Sequence, residues 1–125
     1  MLNSIMAISL GASLGAILRW ALGLLLDSWS IAMSIGTIAS NLIGGYLIGI
    51  AIAFFSGHPD LPPQWRLLII TGFLGGLTTF SSFSAEVTRM IQEGQLGIAF
   101  STVCIHVIGS VLMTFLGIYT YQLFK

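Results

Sequence analysis

Four mostly apolar runs follow one another along this chain, at about 4–26, 31–55, 65–91 and 96–123, with short polar connections between them. A helix needs about 20 predominantly apolar residues to cross the hydrocarbon of a bilayer, and each run meets that length. The first ends at Asp27-Ser28 and the second at SGHPDLPPQ, a Gly/Pro-rich turn. The spacing predicts an all-α membrane protein in which residues 1–125 form a single four-helix transmembrane domain, with no room for an extramembrane one.

Charge supports that reading. Only 6% of the residues are Asp, Glu, Lys or Arg, too few to coat a soluble domain of this length. The net charge is zero, so there is no electrostatic footprint for nucleic acid and none is expected as a partner. The N-terminus MLNSIM lacks a basic stretch before its apolar run, so it is expected to be retained rather than cleaved. The lone Cys104 lies in an apolar run and reads as a small buried hydrophobe. Trp20, Trp29, Trp65, Tyr119 and Tyr121 fall toward span ends, where amphipathic rings favour the headgroup level.

An even number of spans puts both termini on one side, with the loop that carries His58, Asp60 and Arg66. The flanking bias, Arg66 and Lys125 against Arg89, is small for fixing orientation. Single orientation and dual topology both stay open on this count. Four small helices enclose little pathway alone, so an oligomer is expected.

Residues four apart share a helix face. Gly11, Gly15, Arg19 and Gly23 make one such ladder, and Thr37, Asn41, Gly45 and Gly49 make another. The glycines fit close helix approach. Arg19 does not, because a charge in hydrocarbon costs about 2.5–3.5 kcal/mol on insertion scales, so it should snorkel or line a wet cavity. Asn41 fits either an interhelical bond or a pathway. Thr102, His106, Ser110 and Thr114 are also four apart and trace an uncharged polar track on the fourth span. His106 alone also reads as an interhelical hydrogen bonder. Glu86 and Arg89 are three apart and fit a mutually neutralised pair.

The third span contains GFLGGLTTFSSFS, Gly72 to Ser84. Gly72, Gly75 and Gly76 permit departure from helix, and the hydroxyls from Thr78 to Ser84 surround the departure. Non-helical backbone at membrane depth persists only where protein or a water-filled cavity satisfies its amides, so the span is expected to break near its middle. Phe80 and Phe83 add two rings whose positive edges attract an anion weakly. No nucleophile–base set, HExxH or paired intramembrane carboxylates accompany them, so an enzyme is not expected.

With Glu86 beyond it, this stretch resembles the signature of the Fluc (CrcB-type) fluoride channels. GASLGAILRW, GTIASNLIGGYLIG and HVIGSVLMTFLG match the same family, so the resemblance covers nearly the whole chain. It implies a passive channel that exports fluoride and relieves fluoride toxicity, in a bacterial inner membrane as a multi-pass protein. It further implies an antiparallel, dual-topology homodimer with two fluoride pathways and a structural sodium ion at its centre. By motif, Phe80 and Phe83 are the fluoride-contacting rings, and Asn41 is the pathway amide. Ser110 and Thr114 belong to the polar track, to which we add His106. Ser81, Ser84 and Glu86 lie in or beside the hydroxyl-rich part. Gly75 and Thr78 offer backbone carbonyls to sodium, and Arg19 sits by an aqueous vestibule. Two rivals stay in view: a small multidrug-type proton-coupled exporter, which needs a deep carboxylate, and a non-transporting assembly subunit.

Overall fold

The computed structural model describes residues 1–125. Four helical stretches are long and apolar enough to cross a membrane: Leu2–Trp29, Ile35–Ser56, Pro63–Gln92 and Leu96–Phe124. We label α1 (Leu2–Leu26), α2 (Ile35–Ser56), α3 (Pro63–Arg66), α4 (Gly75–Leu77), α5 (Phe80–Gln92) and α6 (Leu96–Phe124). A π-helical run, Leu67–Leu74, joins α3 to α4.

The second span starts at Ile35 rather than at 31, for a local reason. Ser34 is the N-cap of α2, and its hydroxyl accepts the Thr37 N–H. Asp27 Oδ1 then accepts both the Ser34 hydroxyl at 2.8 Å and the Gly36 N–H at 2.9 Å. Those bonds satisfy donors that a helix start leaves free. Ile31 stays outside the helix and fully exposed.

Packing follows the glycine ladders. α1 lies along the π-helical run and α4, while α2 lies along α6. A methyl on Gly15 would strike the Phe73 carbonyl and the Leu77 amide, and one on Gly49 would strike Thr114 O. Both neighbours are backbone and cannot swing aside, so glycine is what brings these helices together. The buried core is Ala51, Phe55, Leu74 and Leu77, between α2 and the third span.

Within the third span, α4 ends at Leu77 and α5 begins at Phe80. Thr78 (φ −86°, ψ 155°) and Thr79 (φ −150°, ψ 121°) are extended between them. The glycines are not the residues that leave the helix, as the sequence had led us to expect. Gly72 lies in the π-helical run and Gly75 and Gly76 in α4, and the only positive-φ glycine is Gly94. Gly72 and Gly76 instead meet the α1 backbone at Gly11 and Ala12. The departure falls on two β-branched residues, which favour extended backbone.

Candidate functional site

The two extended threonines expose backbone groups that no helix satisfies. Asn41 of α2 takes up both such groups of Thr79. Its Oδ1 accepts the Thr79 N–H at 2.7 Å, and its Nδ2 donates to the Thr79 carbonyl at 3.0 Å. Thr79 is also the N-cap of α5, its hydroxyl accepting the Ser82 N–H at 3.1 Å. Thr78 turns its own N–H and hydroxyl onto the Leu74 carbonyl, at 3.0 and 2.8 Å.

A cavity of about 530 Å³ opens beside this segment. Asn41, Gly75, Thr78, Phe80, Phe83 and His106 line it, together with Ser110 and Thr114 from farther along α6. The helical spacing of four thus brings three of the four track residues to one cavity. Thr102 is the exception. It is fully buried, and its hydroxyl donates to the Ile98 carbonyl at 2.8 Å and to Met90 Sδ at 3.5 Å. Thr114 spends its hydroxyl on Gly45 O and Ser110 O, at 2.9 and 3.0 Å.

No acidic or basic residue other than His106 lines the cavity. His106 is buried, with Nδ1 3.0 Å from Asn41 Nδ2, and its Nε2 has no hydrogen-bond partner. Phe83 covers the imidazole, with ring centroids 4.5 Å apart. Phe80 meets Phe83 edge to face at 5.3 Å and 74°. Burial separates the two rings: Phe83 is 7% exposed, whereas Phe80 is 75% exposed on the surface of the chain.

The remaining candidates sit elsewhere. Ser81 and Ser84 are exposed on α5, Ser81 with its hydroxyl 3.3 Å from that of Thr79. Glu86 does not pair with Arg89: its Oε1 accepts the Ser34 N–H at 2.9 Å, and Arg89 bonds Glu93 at 3.0 Å. Arg19 lines a separate cavity of about 310 Å³ with Trp20, Asp27 and Thr37. It does not stand free there, since its Nε donates to the Gly76 carbonyl at 3.1 Å. That bond satisfies one of the carbonyls left over where α4 stops.

Sequence reasoning missed Thr79 as the clasped residue and Ser34 and Asp27 as the anchors beside Glu86. A Thr-x-x-Ser cap pattern at Thr79 was the only local signal. Gly75 and Thr78 both line the central cavity, and no group of three or more His, Cys, Asp or Glu side chains gathers anywhere in the chain. The cation-holding atoms on offer at the threonine segment are carbonyl and hydroxyl oxygens, a donor set that suits a hard cation rather than a soft one.

Comparison with known proteins matches residues 6–118 to the family described as CrcB-like protein, Camphor Resistance (CrcB). Curated relatives are similar over almost their whole length. A protein of Tolumonas auensis named fluoride-specific ion channel FluC is 58% identical over 125 residues, covering 100% of this chain and 98% of that protein. One of Pseudomonas aeruginosa with the same name is 58% identical over 120 residues, covering 96% and 94%. One of Nitrosomonas europaea, again so named, is 51% identical over 125 residues, covering 100% and 98%.

Proposed function

The chain belongs to the CrcB-like family, and from that membership we propose that it is a fluoride-selective passive channel of a bacterial inner membrane. It is a multi-pass transporter rather than an enzyme, and it lets fluoride leave the cell. One observation carries the chemistry: a cavity between the apolar helices whose aliphatic lining is interrupted by the Asn41 amide, the hydroxyl residues Thr78, Ser110 and Thr114 and the rings of Phe80 and Phe83. His106, whose buried Nε2 has no hydrogen-bond partner, is among its lining residues. Uncharged donors replace a small anion's hydration shell without holding it too tightly for release. A ring of basic residues would welcome chloride as well, and the cavity has none.

In this reading Phe80 and Phe83 turn ring edges toward the ion. Asn41, His106, Ser110 and Thr114 form the polar wall, and Ser81, Ser84 and Glu86 extend the path along α5. Arg19 borders the aqueous vestibule. The working unit is an antiparallel homodimer embedded in lipid, with copies inserted both ways and two pathways. The exposure of Phe80 supports this, since a pathway ring left three-quarters bare on one chain gains a wall from a second. Gly75 points the same way: an added methyl would meet nothing of its own chain nearer than Ile70 O at 3.7 Å. Sodium sits on the twofold axis between Gly75 and Thr78 carbonyls of both copies, and being buried it exchanges slowly.

The proton-coupled exporter loses ground, because neither Asp27 nor Glu86 lines the central cavity and both accept backbone amides. Fluoride efflux from liposomes, measured without a proton or sodium gradient and beside chloride efflux, tests the proposal. Fast fluoride and negligible chloride efflux are expected. Comparable rates would overturn the selectivity, and a requirement for a gradient would favour the exporter. No flux at all would leave the assembly subunit. Labelling a cysteine introduced near Lys125 from each side of the cell membrane should find both populations, and a one-sided result would defeat dual topology.

A further inference from the structure

The geometry points to a fixed proton position on His106, set by Asn41: we infer that the imidazole is neutral with its proton on Nε2, and that this N–H is the donor it offers to the anion. The inference deepens the fluoride reading and rests on it for the identity of the ligand.

The steps follow from donors and acceptors alone. The Thr79 N–H can only donate, so the Asn41 atom 2.7 Å away is the carbonyl oxygen. The Thr79 carbonyl can only accept, so the atom 3.0 Å from it is the amide nitrogen. The backbone therefore fixes which way the Asn41 carboxamide faces, an assignment that is otherwise a choice. Its nitrogen has two protons and no usable lone pair. One goes to Thr79 O. The other faces His106 Nδ1 at 3.0 Å, which must then accept it. An imidazole that accepts at Nδ1 is neither protonated there nor an imidazolium, so the ring proton lies on Nε2.

Nε2 is the atom that the protein leaves unpaired. His106 is 4% exposed, and Nε2 is buried without a hydrogen-bond partner. A buried donor without an acceptor is costly and needs an explanation. His106 is among the residues that line the central cavity, although Nε2 itself is closed to a water-sized probe. The proposed acceptor is therefore a small, hard anion that reaches it from the cavity by a modest shift of the surrounding side chains. Asn41 is then a positioning residue for His106 as well as the clasp of Thr79. A neutral donor also adds hydrogen bonding without a fixed positive charge that would trap the ion.

The test reads the proton directly. His58 is exposed and lies outside the central cavity, so the variant His58→Gln leaves His106 as the only histidine without touching the pathway. Nitrogen-15 NMR of that protein in lipid at neutral pH should show Nδ1 unprotonated and Nε2 protonated. Added fluoride should shift the Nε2–H resonance, while the same concentration of chloride should not. In the background of Asn41→Ala the tautomer preference should fall about fivefold, the equivalent of one ordinary hydrogen bond of about 1 kcal/mol. An Nδ1–H tautomer or a doubly protonated ring would overturn the inference, even in a protein that conducts fluoride. An Nε2–H resonance indifferent to fluoride would remove the donor role, and an unchanged tautomer in Asn41→Ala would remove the positioning role. Flux gives an independent arm. Gln places its amide near the Nε2 position and Asn near Nδ1, so His106→Gln should keep at least fivefold more fluoride flux than His106→Asn, and the reverse order would count against the donor. Absence of fluoride flux in the unaltered protein would sink the channel reading itself, and the NMR result would still stand or fall separately.

Discussion

Asn41 and Thr79, 38 residues apart, are joined by two hydrogen bonds, one at each end of the asparagine carboxamide. The pair is what makes extended backbone tolerable between α4 and α5. Inside a bilayer, water does not satisfy exposed amides, and each unpaired group costs several kcal/mol. A side-chain amide is the one uncharged group that donates and accepts in the spacing a peptide requires.

Asn41→Ala should therefore weaken the fold as well as the flux. It leaves the Thr79 N–H and carbonyl without their partner, at about 1–3 kcal/mol each. Asn41→Asp is the sharper probe, since it keeps an acceptor for the N–H but offers no proton to the carbonyl or to His106. Thermal unfolding in detergent should show both variants destabilised, and hydrogen exchange should show the Thr79 amide protected in Asn41→Asp but not in Asn41→Ala. Equal protection in all three proteins would dissolve the clasp.

The same pair marks the limit of what the sequence discloses. Length and apolarity alone marked out four long helices whose ends lie within a few residues of those expected, because a bilayer asks that length of any helix that crosses it. The polar track on α6 was legible as a spacing of four, and three of its members share the cavity. Contacts between helices leave no such period. Asn41 read as either a pathway or a packing residue, and nothing local tied it to Thr79. The glycines of the third span were misassigned because glycine suits both a departure from helix and a close approach, and only the facing α1 backbone decides between them. Glu86 and Arg89 had good spacing for a pair. Glu86 instead accepts an amide 52 residues away, and Arg89 turns to Glu93 one turn on.

The anchor between Glu86 and Ser34 yields a second expectation. Glu86→Ala removes the acceptor of the Ser34 N–H, whereas Glu86→Gln keeps an oxygen there. Ser34→Ala spares that amide but deletes the α2 cap, at about 1 kcal/mol. Hydrogen exchange across 27–34 should quicken in Glu86→Ala and stay near normal in Glu86→Gln. Ser34→Ala should instead loosen the first turn of α2. Identical exchange in Glu86→Ala and the unaltered protein would show that the contact does not hold the loop.

Three glycines separate packing within a chain from packing between chains. A methyl at Gly15 would lie 2.7 Å from the Leu77 amide, one at Gly75 nothing closer than 3.7 Å, and one at Gly97 nothing within 4 Å. Gly15→Ala should cost about 1–3 kcal/mol through overpacking against backbone. Gly97→Ala, in an open helical position, should be neutral or stabilising by up to about 1 kcal/mol. Gly75→Ala discriminates: the single chain tolerates it, so loss of dimer on a sizing column, with helicity unchanged, would locate the second copy at Gly75. An intact dimer with full flux would place that interface elsewhere.

Phe80 and Phe83 carry the last prediction because their surroundings differ so much. Phe83 is buried and lies against His106, whereas Phe80 meets Phe83 edge to face and is bare on its outer side. If the rings only pack, Ile at position 80 should be harmless, and Ile at position 83 should cost stability by shrinking a filled site. If both rings offer positive edges to fluoride, either substitution removes an ion contact that an alkyl group cannot replace. We expect Phe80→Ile and Phe83→Ile each to cut fluoride flux by about tenfold or more, roughly 1.4 kcal/mol on the barrier. Phe83→Ile should lower the unfolding temperature as well, and Phe80→Ile should do so little. Phe80→Ile is thus the decisive variant once its dimer is shown to be intact, since the fold of the single chain is spared and a flux lost from intact dimers reports the ion contact. Near-normal fluoride efflux from vesicles holding intact Phe80→Ile dimers would return that ring to a packing role.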